Sequence, residues 1–306
     1  MPRNQKPLIV VGHKNPDTDS ICAALAYARL KTEVFHEEAT ARRAGNVNPQ
    51  TQFVLSRFEA ESPALITDVR SRIEDIMIPR DELIALTEND TLKKACDLLT
   101  TNHFSFLPVV GPDGACLGKL TTLRLVSVLS GLVSRCRDDE PLRETDRNLL
   151  AGSLGSLVDR EHTTFTPDAL VKDVMRAIGK SNEGGFIILG ENNRLEGVIT
   201  RVNFLTENRL RVVMVDHNEI GQAVDGIEEA DVQEIIDHHR LAARSTSLPI
   251  TFINRVVGST CTIIADLYRT AGKKPPARDA GLMLSAMLSD TVILHSPTTT
   301  PLDREL

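Results

Sequence analysis

Three side chains that could bind a metal ion lie close together near the start of the sequence. The fragment GHKNPDTDS contains His13, Asp17 and Asp19, and it separates an apolar run from an alanine-rich segment. An imidazole with two carboxylates suits a divalent transition ion such as Mn²⁺ or Co²⁺ better than a softer ion that prefers thiolates. The alternative interpretation is an ordinary turn, because Asn, Pro, Asp and Ser are all favoured in turns and caps.

Further carboxylate and imidazole groups follow apolar segments later in the chain. Asp216 in VDHNE ends the run RVVMV, Asp237-His238-His239 follows a shorter run, and Asp290 follows an Ala- and Met-rich segment. A single aspartate in such a place is often only a cap or a turn residue. Several of them can meet, however, because the parallel strands of one sheet end on the same side. We therefore predict one site that is built from all of these groups.

The segment Gly258-Ser259-Thr260 precedes a helical pattern, CTIIADLYR. Small residues at a helix N-terminus leave backbone N–H groups free to bind a phosphate. Simple N-capping by Ser259 or Thr260 explains the same residues equally well, and the sequence leaves both interpretations open.

The apolar runs that precede these groups predict an α/β fold with a parallel sheet. Residues 7–11 form a short apolar run, which is followed by a polar loop and a helix at about residues 21–30. The runs at 211–215 and 235–236 each end at an aspartate. Short apolar runs closed by polar loops are typical of parallel strands that are buried on both faces.

An internal repeat lies between the two parts of this pattern. Three segments of one copy align with three of the other across a single-residue gap: 90–92 with 168–170, 109–114 with 188–193, and 118–121 with 197–200. Each copy predicts a helix, a strand, a tight turn, a strand and a helix.

The composition is that of an ordinary globular protein and disfavours two kinds of partner. The 306 residues are 41% hydrophobic and 25% charged, with a formal net charge of −7. This charge argues against a nucleic acid or an anionic membrane as the main partner, and no apolar run is long enough to span a bilayer. The five cysteines show no disulfide framework and the N-terminal residues leave no room for a signal peptide, so we predict a cytoplasmic protein.

The order of the motifs GHKNPDTDS, VDHNE, DHHR and SDT resembles that of the DHH phosphoesterases, and within them the family II inorganic pyrophosphatases. Residues 41–58 and 296–300 are also similar to that family. The two repeat copies, carried by residues 106–125 and 186–205, resemble CBS modules, which pair to form one regulatory unit. The resemblance implies a parallel-sheet DHH phosphoesterase domain interrupted by an α+β tandem CBS pair. The implied bounds are 1–67 and 207–306 for the DHH domain and 68–206 for the insert, with copies at about 68–134 and 145–206 and a link at 135–144.

The resemblance to family II pyrophosphatases also implies a ligand set for two Mn²⁺ or Co²⁺ ions per chain. One ion would take His13 and Asp17, and the other would take Asp19, His238 and Asp290, with Asp216 bridging the two. His239 would face the phosphate groups of pyrophosphate, which binds together with Mg²⁺, so His239 and Asp216 are the expected catalytic residues. Asp237 is expected to orient His238 rather than to bind metal.

The resemblance to CBS modules implies that AMP or ADP binds the insert and regulates the enzyme. Thr200 and Asn203 match a pattern in which a hydroxyl and an amide hold the phosphate and ribose of an adenine nucleotide. In the first copy Thr121 is followed by Arg124 at the second position of that pattern, so one complete nucleotide site is expected rather than two. The family resemblance further implies a homodimer.

Family II pyrophosphatases have a second, C-terminal lobe that closes over the site and supplies Arg and Lys to the substrate. Residues 296–306 correspond to about the start of the linker to that lobe, so the resemblance implies a chain without it, which would bind metal but turn over slowly. Two other functions stay open. One is a catalytically weak regulator that binds metal and adenine nucleotides. The other is a DHH-type nuclease or nucleotide phosphodiesterase, which the VDHNE and SDT contexts and the lack of a basic groove disfavour.

Overall fold

A computed structural model describes residues 7–137, 141, 144, 147, 154–205, 209–242, 246 and 248–306. The strands of the described chain, in order, are β1 Leu8–Val11, β2 Ala39–Arg43, β3 Ala64–Leu65, β4 Ile78–Pro79, β5 Leu86–Thr87, β6 Phe106–Val110, β7 Cys116–Thr121, β8 Thr164–Phe165, β9 Gly185–Leu189, β10 Leu195–Thr200, β11 Arg211–Val215, β12 Asp231–Asp237 and β13 Thr251–Asn254.

The α-helices of the described residues are α1 Thr18–Glu33, α2 Pro49–Arg57, α3 Leu92–Thr101, α4 Thr122–Arg137, α5 Val171–Lys180, α6 Thr260–Thr270, α7 Ala277–Asp290 and α8 Pro301–Glu305. The first helix is longer than the sequence predicts because Asp17, a polar residue of the loop, caps its N-terminus by accepting from the Ser20 N–H at 2.9 Å.

The chain divides into two compact units, Met1–Ser71 with Arg209–Leu306, and Arg72–Asn208. The first unit contains a six-stranded, all-parallel sheet in the order β13-β12-β11-β1-β2-β3. The chain order runs one way from β1 to β3 and the other way from β11 to β13, so the switch lies between β1 and β11. In open α/β sheets, ligands bind beyond the carboxyl ends of the strands at such a switch point.

Alternate residues of the central strands of this sheet point to opposite faces, as the pleat of a strand requires. On one face they pack against α1, α6 and α7, through Leu8, Val10, Val213, Val215 and Ile236. On the other face they pack under the loop that joins β11 to β12, through Ile9, Val11, Val212, Met214 and Ile235. Burial on both faces explains why these strands are uniformly apolar in sequence.

The second unit contains two small sheets of matching design. In one, β5 pairs parallel to β6 and β6 pairs antiparallel to β7. In the other, β8 pairs parallel to β9 and β9 pairs antiparallel to β10, which also pairs with β4. Side chains of both sheets share one buried cluster, which includes Phe106, Ile187 and Val198. The two copies differ at their ends, since α4 follows β7 whereas a short 3₁₀ helix, Arg201–Leu205, follows β10.

The predicted fold class, an α/β protein with a parallel sheet, is confirmed. The second unit begins at Arg72, whereas the sequence predicts an insert that begins at residue 68. Val69 explains this difference, because it is buried in the core of the first unit. The backbone of the neighbouring Asp68 also forms a parallel β-bridge with Asp225 of that unit. The predicted end of the insert at 206 and 207, and part of the predicted link at 135–144, lie outside the described residues.

Among the residues that the structure describes, no helix is both long enough and apolar enough to cross a membrane. The expected homodimer and the expected cytoplasmic location stay predictions.

Candidate metal centre

The loop between β1 and α1 brings His13 and Asp17 towards the switch point of the sheet. The His13 backbone N–H donates to the Ser20 hydroxyl at 3.1 Å, which ties the loop to the first turn of α1. Gly12 is needed for this approach, because a Cβ at that position would lie 1.9 Å from the Ser20 Oγ atom. The His13 Nε2 atom lies 3.7 Å from an Asp17 carboxylate oxygen.

Asp216 follows β11 and lies beside this loop. It is 1% exposed, its backbone N–H donates to the Ile236 carbonyl at 2.9 Å, and its φ of 64° is in the left-handed region. The Thr260 hydroxyl donates to its Oδ1 atom at 3.0 Å. Asp216 is therefore fixed through its backbone by β12 and through its side chain by the start of α6.

Three groups of side chains share Asp216, and in one of them its partners are His238 and the exposed His239. The other two groups surround its two carboxylate oxygens. In the first, its Oδ2 atom lies 3.4 Å from the His13 Nε2 atom, with Asp17 beside them. In the second, its Oδ1 atom lies 3.5 Å from the His238 Nε2 atom. That group also contains Asp19 and Asp290, and the Asp290 Oδ2 atom lies 3.7 Å from the His238 Nε2 atom. Within each group the potential ligand atoms all lie within 4.8 Å of one another.

The N-terminus of α6 holds Asp19. The backbone N–H groups of Thr260 and Cys261 donate to its two carboxylate oxygens at 2.6 and 3.0 Å, and the Ser259 hydroxyl donates at 2.7 Å. Ser259 is also the N-cap of the helix. Of the two interpretations that the sequence allowed, capping is therefore correct, and a carboxylate of the protein itself occupies the N–H groups considered for a phosphate.

The contacts of Asp237, His238 and His239 at the end of β12 differ from the expectation. Asp237 accepts from the Nδ1 atom of His239 at 2.9 Å and from the backbone N–H groups of His238 and His239. The ring of His238 instead has its Nδ1 atom 3.1 Å from the Val257 carbonyl. The prediction that Asp237 orients the His238 ring was wrong, because Asp237 binds the ring of His239, whereas the ring of His238 faces the Val257 carbonyl. Asp237 orients His239.

Charge and burial set the protonation of the group. Burial alone would lower the pKa of His13, but Asp17 and Asp216 outweigh it and raise that pKa to about 10. In the same way Asp216 and Asp19 raise the pKa of His238 to about 9. Burial, then the charges of Asp19 and Asp17, raise the pKa of Asp290 to about 9. Cations compete with these protons, so cation binding here releases protons and weakens as the pH falls.

The chemistry of the donor set fits divalent cations. The Oδ2 atom of Asp216 and the Nε2 atom of His238 are buried and, within the described part of the chain, have no hydrogen-bond partner. Unpaired buried polar atoms are rare in folded proteins and indicate a missing ion or water. Both atoms belong to the groups that share Asp216, and imidazole with carboxylate is a donor set for Mn²⁺, Co²⁺ or Zn²⁺.

Comparison with known families agrees with this geometry. The family model of the DHH family, N-terminal domain, matches residues 7–287. The chain belongs to the DHH family. Its DHH domain therefore includes every residue of the two groups except Asp290, which lies just beyond the match.

Relatives of this DHH chain align along nearly all of its length. A cobalt-dependent inorganic pyrophosphatase of Clostridium perfringens is 28% identical over 97% of this chain and 72% of its own length. A probable manganese-dependent inorganic pyrophosphatase of Thermotoga maritima is 26% identical over the same shares. A structure from Methanococcus jannaschii, provisionally named a family II inorganic pyrophosphatase, is 23% identical with a TM-score of 0.46, and the alignment covers 97% of this chain and 52% of that one.

The DHH site contains one buried histidine that the sequence did not single out. His217 is 1% exposed, its Nδ1 atom lies 2.8 Å from the Val215 carbonyl, and its ring lies edge-on to that of His13, with centroids 6.2 Å apart. Burial lowers its pKa to about 4, so the ring is neutral at pH 7. The position of His217 directly after Asp216 was the signal that could have identified it as part of the site.

In the second unit, the residues expected to bind a nucleotide are hydrogen-bonded within their own copy. The Asn203 carbonyl accepts from the Thr200 hydroxyl at 2.7 Å and from the Thr200 N–H at 2.9 Å, and its amide donates to the Ile76 carbonyl at 2.9 Å. In the other copy, the Thr121 hydroxyl accepts from the Arg124 N–H at 3.1 Å. The Thr121 hydroxyl therefore caps the helical turn that follows its strand, whereas the Thr200 hydroxyl donates to a side chain of the following turn.

Proposed function

We propose that this chain is an inorganic pyrophosphatase that uses two Mn²⁺ or Co²⁺ ions and is regulated by an adenine nucleotide bound to its insert. The observation that carries the catalytic part is that two groups of imidazole and carboxylate ligands share the buried Asp216. The names of the relatives, inorganic pyrophosphatases dependent on cobalt or manganese, support the same substrate and the same ions.

Under this proposal, the potential ligands around Asp216 bind two separate ions. His13 and Asp17 hold one ion, Asp19, His238 and Asp290 hold the other, and Asp216 bridges them. When bound, such a pair of ions lowers the pKa of a water molecule and neutralises charge on phosphoryl oxygens. The substrate, pyrophosphate, brings a Mg²⁺ ion with it.

His239 is the group of the chain best placed to meet the substrate. Its side chain is 51% exposed, and its Nδ1 atom lies 3.9 Å from an Asp216 oxygen. The hydrogen bond that its ring donates to Asp237 is the main reason that the pKa of His239 is raised, which favours the protonated ring. A protonated imidazole held in this way can donate to a phosphate oxygen and stabilise the charge that develops there.

A phosphate-release assay tests the catalytic proposal. Protein loaded with Mn²⁺ is given either Mg²⁺-pyrophosphate or a short single-stranded oligonucleotide, with Asp216→Asn as the control variant. We expect release of phosphate from pyrophosphate only, and its loss in the variant. Cleavage of the oligonucleotide would indicate a phosphodiesterase, and two bound ions without turnover of either compound would indicate a regulator.

For the regulatory part, we propose that the insert is a CBS pair and that Thr200 contacts the phosphate of AMP or ADP. Supporting this, the two copies have the same strand pairing, and each has a threonine at the same place, as the last residue of its second long strand. Because Asn203 already bonds to Thr200 and Ile76, it would hold Thr200 in position for the nucleotide.

Two matched variants separate the copies. Thr200→Val and Thr121→Val remove the same hydroxyl from equivalent positions without changing the size of the side chain. We expect AMP binding, measured by calorimetry, to weaken about 10-fold or more in Thr200→Val, the usual effect of losing a hydrogen bond to a charged group, and to change little in Thr121→Val. Equal affinities in both variants and the parent would place the nucleotide elsewhere.

A further inference from the structure

Asp303, a residue of the last helix, is bound tightly to a distant loop. It is 5% exposed, and both of its carboxylate oxygens accept from the Gly258 N–H at 3.0 Å. The Thr262 hydroxyl donates to it at 2.6 Å. It also accepts from the Thr300 N–H and hydroxyl at 2.6 and 2.7 Å, within the capping box of α8.

The partners of Asp303 flank the residues that hold the candidate metal ligands. Gly258 and Thr262 lie on either side of the segment 259–261. Within that segment, Ser259, Thr260 and Cys261 donate three hydrogen bonds to Asp19, and the Thr260 hydroxyl donates one to Asp216. Asp303 thus fixes both ends of a short stretch of chain whose donors fix two proposed ligands.

Packing leaves this segment little freedom to find another position. A Cβ at Gly258 would lie 2.4 Å from the Thr291 side chain and 3.1 Å from an Asp303 carboxylate oxygen. Thr291 is fully buried and directly follows the proposed ligand Asp290. Only glycine allows the loop to approach both residues this closely.

We propose that Asp303 is a positioning residue of the metal centre, which acts through the segment 258–262 on Asp19 and Asp216. This inference rests on the proposed function, because it needs those aspartates to be metal ligands. Asp303 is not among the residues whose ligand atoms group around Asp216. Its role is to hold donors in place, as partners of ligating carboxylates do in other metal sites.

Charge is essential to this role. Burial alone would raise the pKa of Asp303, but the hydrogen bonds from Thr262, Thr300 and Gly258 outweigh it and keep the pKa low. An ionised carboxylate accepts at both oxygens, whereas an amide of the same shape has one acceptor and two N–H groups. Asp303→Asn would therefore turn an N–H group towards donors of the loop and push it away.

The test uses three variants of the full chain. Asp303→Asn removes the charge, and Thr262→Val removes one hydrogen bond at constant size. Asp266→Asn is the control. Asp266 lies on α6, the helix that contains Thr262, but it accepts hydrogen bonds from Arg255 and Arg269 instead. For each metal-stripped protein, the Mn²⁺ affinity is measured by calorimetry and the melting temperature is measured with and without Mn²⁺.

We expect Asp303→Asn to weaken Mn²⁺ binding about 10- to 100-fold, the usual loss when a partner of a ligand is removed, and Thr262→Val to weaken it less. The rise in melting temperature caused by Mn²⁺ should shrink in step, because that rise depends on affinity. A role limited to folding would lower both melting temperatures equally and leave the affinity unchanged, and that result would overturn the proposal.

Different results would contradict the proposed metal centre and the proposed role of Asp303. If the parent chain does not bind Mn²⁺, the proposed metal centre is wrong. If the parent binds two ions and Asp303→Asn binds them equally well, only the role of Asp303 is wrong. If Asp303→Asn does not fold, the comparison between Thr262→Val and Asp266→Asn decides, and equal Mn²⁺ affinities in those two variants overturn the proposal.

Discussion

Asp216 and Asn203 both lie just beyond the end of a strand, yet their polar atoms are in opposite states. The Oδ2 atom of Asp216 is buried and, in the part of the chain described, has no hydrogen-bond partner. Asn203 uses both its oxygen and its nitrogen within the second unit. A site with unsatisfied buried acceptors is prepared for cations before they arrive, whereas a satisfied pair is stable by itself and gains less from a ligand.

The largest effect on this difference is expected from a substitution of Asp216. Asp216→Asn keeps the shape and a residue type that tolerates the left-handed backbone, but it removes the shared charge. We expect both Mn²⁺ ions to bind more weakly, by more than the roughly 100-fold that loss of an outer partner can cost. Calorimetry checks this, and an affinity equal to that of the parent for both ions would refute the bridging role.

The second largest effect is expected on the rate of hydrolysis rather than on metal binding. Asp237→Asn would free the ring of His239 and lower its pKa, so we expect the rate of pyrophosphate hydrolysis to fall about 10- to 100-fold, equivalent to about 1.5–3 kcal/mol for a hydrogen bond to a charged group. Mn²⁺ affinity should change little. Asp225→Asn is the matched control, because Asp225 is exposed and forms an ion pair with Lys14. A normal rate in Asp237→Asn would contradict the role of His239.

The smallest expected effect concerns Asn203, the other residue of this comparison. Asn203→Ala should lower the free energy of unfolding of the insert by about 1–3 kcal/mol, because it leaves buried partners of Asn203 unpaired, and it should weaken AMP binding by a similar free energy. Asn102→Ala is the control, since Asn102 is exposed and donates one hydrogen bond to Leu98. Urea denaturation and calorimetry measure the two effects, and a variant with parental stability would contradict the observed hydrogen bonds.

Much of the DHH domain could be predicted because its signals are local. Apolar runs closed by polar residues predicted β1, β11 and β12 and placed His13, Asp216 and His238 at one edge of the sheet. The ligand assignment itself stays a prediction. The partners of the ligands could not be predicted, since Asp19 meets Thr260 and Asp303 meets Gly258 across long stretches of chain. The orientation of the His238 and His239 rings also depends on tertiary contacts rather than on the order of the triplet.

The left-handed backbone at Asp216 sets stability against function at that residue. Holding a residue other than glycine in this conformation costs about 1–3 kcal/mol, and a glycine would adopt it without strain. Stability of the backbone alone would therefore favour glycine directly after the central strand β11. The aspartate found there gives up that gain for a charged side chain where the groups of potential ligands meet. Under the proposed function, the strain is therefore a cost of binding cations.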